Sequence, residues 1–365
     1  MNCHVQKYFE YLGPTIDWLQ HSITKGQGGS CAVFSLYNGW SLPYPETTGY
    51  IIPTLLDIEH LFPNKRLKRS AIDLGDWLLT IQNNNGSWNG GVHPTKSPNP
   101  SIFNTAQILN GLVALYKRSG EDRWIDSATR GAKWLAEQVD EEGHWPGSDY
   151  LSDMKTPSYY AHAAWPMLQV WEVVRDEFLR DAGRSVLTKI VDRVDNNGEI
   201  AGWEFAPGKP AFTHTIAYTM WGLMASAEIL GEWDIFGKPA EVALDYISHK
   251  AEISNGRLPG AFAQGWKAVD SYVCLTGNAQ IALCLLLLDK RNPDLRYINT
   301  ACKLADYVCL KQKMNSPLRG VCGGVAGSAP VWGKYMTLRY PNWAAKYHAD
   351  ALLGLFKRLN TELEK

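Results

Sequence analysis

The chain lacks a long apolar run. Its longest, Ile281 to Leu288, falls well short of the about 20 residues a membrane helix needs, so no stable membrane insertion is expected. It also lacks an excess of one charge sign: 36 Lys and Arg face 37 Asp and Glu, for a formal net charge of -1. Nucleic acid and anionic membrane surfaces are therefore poor partners. The first residues, MNCHVQKYFEYL, carry neither the basic flank nor the apolar stretch of a secretory signal, and a cytoplasmic protein is expected. The seven cysteines include no Cys-x-x-Cys pair, so they read as buried thiols rather than a disulfide framework. Period-two alternation of β-branched residues is scarce, which argues against sheets.

What is abundant is repetition. An outer-helix signature recurs as Asp17-Trp18-Leu19, Asp76-Trp77-Leu78, Lys133-Trp134-Leu135, Asp245-Tyr246-Ile247 and Asp306-Tyr307-Val308, with a weaker copy near Leu187 to Val191. Each leads to a turn containing glycine, at Gly28, Gly86, Gly143, Gly198, Gly256 and Gly320. A second, more apolar helix follows, beginning with a small and then a polar residue: Gly49-Tyr50, Ala106-Gln107, Ala161-His162, Ala217-Tyr218, Ala279-Gln280 and Ala349-Asp350. Helices apolar all round are buried, and amphipathic ones face solvent. The pattern predicts an all-α (α/α)6 toroid of six helical hairpins, spanning residues 1–365 as one domain. An open solenoid would need polar capping units at its ends, and the end units here are no more polar than the others.

The outer-to-inner connections are long and rich in Gly, Pro, Trp and Tyr, and long loops in a compact domain carry function. They gather at the inner-helix N-terminal face, where the site is expected. The polar positions Tyr50, Gln107, His162, Tyr218, Gln280 and Asp350 should point toward the ring axis. One turn earlier come Glu46, Asn104, Tyr159, His214, Thr276 and Lys346. Glu46 and Asp270 are the candidate carboxylate acid/base pair, suited to glycosidic cleavage. His162, His214 and Tyr218 are candidate proton-transfer groups. Trp40, Tyr44, Trp266 and Trp332 are candidate sugar platforms, because aromatic faces stack on the C–H faces of sugar rings. Tyr50, Asn104, Gln107, Gln280 and Asp350 complete the expected substrate-binding set.

Two segments, Gln82-x3-Gly86-x-Trp88 and Gln138-x4-Gly143-x-Trp145, resemble the QW repeats of terpenoid cyclases and protein prenyltransferase β subunits. That resemblance implies the toroid. No Asp-x-Asp-Asp or Asp-Asp-x-x-Asp motif is present for cyclase chemistry. Asp270, Cys274 and His348 depart from the prenyltransferase zinc spacing, so no metal and no cofactor is expected. Further segments, Pro45-Glu46-Thr47-Thr48-Gly49-Tyr50, Thr213-His214-Thr215-Ile216-Ala217-Tyr218, Leu275-Thr276-Gly277-Asn278-Ala279-Gln280 and Gly327-Ser328-Ala329-Pro330-Val331-Trp332-Gly333, resemble bacterial toroid proteins of polysaccharide biosynthesis. The same toroid resembles polysaccharide lyases, uronyl epimerases and glycoside hydrolases. The resemblance implies an enzyme that cleaves or epimerises an acidic, uronate-containing polysaccharide or oligosaccharide. An isoprenoid-handling enzyme and a non-catalytic glycan-binding protein are the alternatives.

Overall fold

A computed structural model describes residues 3–146, 154–269 and 271–363. Among them, outer and inner helices alternate along the chain. The outer set is α1 (Cys3–Gly26), α3 (Leu67–Thr80), α5 (Asp122–Glu137), α7 (Glu177–Val191), α9 (Lys238–Ile253) and α11 (Leu295–Lys311). The inner set is α2 (Pro45–Ile58), α4 (Ile102–Ser119), α6 (Ala161–Val174), α8 (Thr213–Leu230), α10 (Leu275–Arg291) and α12 (Asn342–Leu363). Each inner helix packs on the next, and α12 returns to α1 and α2. The result is the closed (α/α)6 toroid that the repeat predicts.

The two helix sets differ as their sequences require. On α5, Trp124, Ala128, Ala132 and Leu135 are buried along one stripe while Asp122 and Lys133 face solvent. On α8, burial runs almost unbroken from Thr213 to Ala227. Starts and stops follow local chemistry. Pro45 opens α2, and the Ser101 hydroxyl accepts from the Asn104 N–H at the head of α4. Gly120 and Gly231 end α4 and α8 with positive φ, where a Cβ is disfavoured.

Inner helices meet closely at small residues. A Cβ on Gly111 would stand 2.2 Å from the Gly49 carbonyl oxygen. One on Gly222 would stand 2.2 Å from the carbonyl carbon of Ala161. Both glycines lie four residues beyond a polar axial position, so close packing and polar display share one register.

The long loops hold short strands that the sequence pattern did not suggest. Strands β1 (Val33–Ser35), β2 (Gly39–Trp40) and β8 (Arg339–Pro341) form one sheet in the order β2-β1-β8. Strands β3 (Ala211–Phe212), β4 (Ala261–Ala263) and β5 (Lys267–Val269) form a second. Strands β6 (Val273–Cys274) and β7 (Ser328–Ala329) pair alone. At two or three residues each, they are too short for alternation to show. Their place matters more than their length, because β1 and β8 join the first long loop to the last. Phe34 pairs with Tyr340, and buried Asn342 donates to Ser30 Oγ at 3.0 Å and Thr47 Oγ1 at 2.8 Å.

Trp88 and Trp145 are fully buried, and each indole N–H donates to the carbonyl ten residues earlier, on Leu78 and Leu135, at 2.8 Å. They tie each loop to the end of its outer helix.

The helix contact at Gly222 gives a direct test. In Gly222→Ala the new methyl meets backbone rather than a flexible side chain, so we expect a loss of about 3 kcal/mol, at the upper end for overpacking. Urea unfolding would show it; a change below about 0.5 kcal/mol would mean that the helix contact is looser than described.

Candidate active site

The axial side chains come from equivalent turns of the inner helices. Tyr50, Gln107, Tyr218, Gln280 and Tyr347 are each the sixth residue of their helix. The sixth hairpin thus supplies Tyr347 at this level, where Asp350 was expected. Asp350 lies one turn further on, level with Thr54, whose hydroxyl donates to it at 2.7 Å. Reading α12 from its start at Asn342, by analogy with Pro45 and Thr213, gives the observed register. The same shift puts Trp343, rather than Lys346, in the first-turn position beside Glu46 and His214. Trp343 Nε1 donates to the Tyr335 hydroxyl at 2.8 Å.

Exposure sorts the expected residues. Glu46 keeps 8%, His214 5%, Tyr218 and Gln280 4% and His162 3%, against 0% for Asn104 and Gln107. Asn104 donates to the Asn89 carbonyl at 3.2 Å and receives the Tyr44 hydroxyl at 3.4 Å. Gln107 donates to the His162 carbonyl at 2.7 Å. Both are enclosed as the ring stands, so neither presents open surface for the substrate contact expected of it. Tyr50, 1% exposed, is enclosed in the same way, with its ring 5.6 Å from that of Tyr347 and the Lys346 ammonium 5.3 Å over it.

The remaining groups form one layer across the axis. The Tyr218 ring stacks on His162 at 4.3 Å and 20°, and lies 4.3 Å from His214 at 53°. Tyr347 links onward: its hydroxyl donates to Tyr218 at 3.4 Å and stands 3.3 Å from His162 Nε2. His214 Nδ1 lies 2.7 Å from Gln280 Oε1. An amide oxygen only accepts, so Nδ1 carries the proton and Nε2 is left free.

Burial sets the charge state of this layer. It pushes the Glu46 carboxyl up to about 7, opposed by a hydrogen bond from Tyr44. It pulls His214 down to about 4, opposed by the bond to Gln280. His162 is held well below its ordinary value by burial first, and then by the charges of Lys346 and His214. Tyr218 is held well above its ordinary value by burial and by neighbouring Tyr347, Tyr50 and Glu46. At neutral pH both imidazoles and the phenol are neutral, and Glu46 alone stands near half-ionisation.

Of the four aromatic candidates, Trp40 and Tyr44 line a recess of about 470 Å3 on the long-loop face, with Trp343 and Met336. Trp332 is 69% exposed on the turn between β7 and β8. Trp266 is packed into the fold rather than presented on it. It is 5% exposed, stacks on Tyr246 at 4.5 Å, and donates its indole N–H to the Asn197 carbonyl at 3.0 Å. Asp270 lies outside the described residues. Of the residues weighed for zinc, Cys274 accepts from the Gly277 N–H at 3.4 Å, and His348 instead faces Gln312 and Cys309, at 3.3 and 3.9 Å.

Trp266→Ala should accordingly cost about 3–5 kcal/mol of stability, read by urea unfolding; weaker glycan binding with unchanged stability would restore it as a platform. A pH series tests Glu46. Its folded value lies above its ordinary 4.5, so its contribution is full below pH 4.5 and is lost as the pH rises to about 7. The buried histidines act oppositely, losing stability as the pH falls below 6.5. Comparison with Glu46→Gln cancels them. The variant should gain about 3 kcal/mol on wild type between pH 4.5 and 7.5; a difference that stays flat with pH would contradict the raised carboxyl.

No protein-family model matches the chain. It superimposes on an unsaturated glucuronyl hydrolase specific for heparin with a TM-score of 0.77, at 15% identity over 98% of each chain. Cellobiose 2-epimerase from Bacillus thermoamylovorans B4167 gives 0.76, at 14% identity, over 98% of this chain and 100% of the other. Identities this low establish a shared fold. In sequence, a squalene–hopene cyclase of Zymomonas mobilis subsp. mobilis is 30% identical over 124 residues, which is 30% of this chain and 18% of the cyclase. The chain therefore spans under a fifth of that relative's length, while its toroid matches enzymes of sugar chemistry from end to end.

Proposed function

We propose that the protein is a carbohydrate-active enzyme that moves a proton on a uronate-containing glycan, epimerising or eliminating at a carbon next to the sugar's carboxyl group. The reading is carried by buried Glu46, its carboxyl raised to about 7 and close enough to act electrostatically on Tyr218, whose ring lies between two neutral imidazoles. A general base works best when its pKa lies near the working pH. Glu46 takes the proton, and Tyr218, held protonated by burial, gives one to the opposite face of the carbon in epimerisation or to the departing glycosidic oxygen in elimination, and is reprotonated from solvent. His162 and His214 hold the phenol between them and, being neutral, do not compete for Glu46 as cations. Hydrolysis calls for a second carboxylate across the bond, and that reading rests on Asp270.

The fold neighbours, an unsaturated glucuronyl hydrolase and an epimerase of cellobiose, support a sugar substrate for this toroid. The recess beside Trp40 and Tyr44 lies on the long-loop face, where a polymer has room to enter. We further propose a cytoplasmic role in surface-glycan metabolism, resting on the sequence resemblances. No helix among the described residues is long and apolar enough to cross a membrane.

The test incubates the purified chain with acidic and neutral bacterial polysaccharides in deuterated, 18O-labelled water, followed by mass spectrometry. Solvent hydrogen in an intact chain would mark epimerisation, and unsaturated ends elimination; 18O at new reducing ends would replace the proposal with hydrolysis. Glu46→Gln should lower kcat by about 100- to 10,000-fold with KM little changed. Unaltered turnover in that variant would remove Glu46 from the chemistry. Absence of any product, with polyprenyl diphosphates turned over instead, would favour the isoprenoid reading.

A further inference from the structure

Beyond the tyrosine–histidine layer the toroid axis widens into a cavity of about 370 Å3. His162, Tyr218, Gln280 and Tyr347 form its inner end, and Trp165 and Trp221 its walls. Asp57 and Lys357, both exposed and near the ends of α2 and α12, mark its mouth. It therefore opens at the inner-helix C-terminal end, away from Trp40, Tyr44 and the long loops.

Two polar atoms of lining residues, His162 Nδ1 and Trp221 Nε1, are enclosed and lack a hydrogen-bond partner. His162 is 3% exposed, and a buried polar atom left unpaired costs about 1–3 kcal/mol, which a small rotation of the ring toward a bound hydroxyl would relieve. Beside them Lys346 and Asp350 pair at 2.7 Å, with Thr54 bound to the carboxylate. Ammonium supplies donors and carboxylate acceptors, and a pair of adjacent hydroxyls uses both. The charged lining residues, Asp57, Asp350, Lys346 and Lys357, sum to no net formal charge, so neither sign of ligand is favoured overall. The indoles of Trp165 and Trp221, edge to face at 5.9 Å and 75°, offer flat apolar walls for sugar C–H faces. Ligand pockets run from about 300 to 1,000 Å3, and this one has room for one or two rings.

We propose that this cavity binds a neutral sugar of one or two rings, on the face of the tyrosine–histidine layer away from Glu46 and entered from the opposite end of the toroid. Its hydroxyls bridge Lys346 and Asp350, one ring face lies on Trp221, and a further hydroxyl donates to His162 Nδ1. The inference stands on the cavity's own lining and does not require the proton chemistry assigned to Glu46.

The full chain is titrated with D-glucose, D-galactose, N-acetyl-D-glucosamine and cellobiose, with D-glucuronate as the charged comparison. Tryptophan fluorescence and heat of binding are followed. At least one neutral sugar should bind saturably, with glucuronate about tenfold weaker or worse. Trp221→Leu should weaken the neutral sugar about tenfold, and Trp221→Phe, which keeps a ring but loses the N–H, about threefold. Thr54→Val, which frees Asp350 at almost no change in volume, should cost about threefold and serves if Trp221→Leu does not fold. The proposal is overturned if no neutral sugar binds, if glucuronate binds as tightly, or if Trp221→Phe and Thr54→Val both bind as wild type does. Loss of binding in Glu46→Gln would place the sugar in the layer and overturn it too.

Discussion

Everything at the axis depends on closing the ring between the first and last hairpins. Six helical pairs can stack into an open spiral as readily as a closed ring, and burial of apolar faces alone does not choose between them. Here the choice is made by specific polar contacts. The β1–β8 ladder joins the two loops, Asn342 reaches Ser30 and Thr47, the Trp18 indole donates to the Gly320 carbonyl, and Gln312 donates to Thr15. Each of these spans some three hundred residues of chain, and all are buried or partly so. Only with the ring closed does α12 stand beside α2, so that Lys346 and Tyr347 meet Tyr50 and Asp350 meets Thr54.

This dependence explains what could be read from the sequence. Helix identity, hairpin number and the small-then-polar axial register come from local periodicity, and they hold for Tyr50, Gln107, Tyr218 and Gln280. The register failed in the sixth hairpin, where Ala344-Ala345-Lys346-Tyr347 and Ala349-Asp350-Ala351 offer two matches one turn apart. A repeat alone has no means to choose between them; the strand before Asn342 does, and strands of two or three residues leave no periodic signature. The same limit separates Trp266 from Trp40. Both sit in aromatic, glycine-containing loops, but one indole finds the Asn197 carbonyl across the fold and the other lies at a recess. Sequence lists the aromatic residues, and tertiary contact decides which are used as staples.

The chemistry of the layer follows from excluding water around one carboxyl group. Glu46 sits in the first turn of α2, where the helix dipole favours the charged form. Yet desolvation outweighs this and raises the carboxyl. The Tyr44 hydrogen bond opposes the rise, and the phenols and imidazoles around it add no charge to offset it. Tyr50, Tyr218, Tyr335 and Tyr347 are phenols held protonated by burial, and the two histidines are neutral. None can supply the fixed positive charge that would return Glu46 to an ordinary carboxylate. The cation beside the layer, Lys346, is engaged by Asp350.

That ion pair has a second consequence for how the axis is divided. The Lys346 ammonium lies over Tyr347 and Tyr50 at 4.0 and 5.3 Å, its charge helps to hold His162 neutral, and Asp350 is its counter-ion. Pairing Lys346 with Asp350 leaves the cavity side of the layer without net formal charge from these two groups. One side then keeps a carboxyl that can exchange a proton near neutrality, while the other keeps a neutral set of donors and acceptors. A single helical turn on α12, from Tyr347 to Asp350, separates two environments of different chemistry within one toroid.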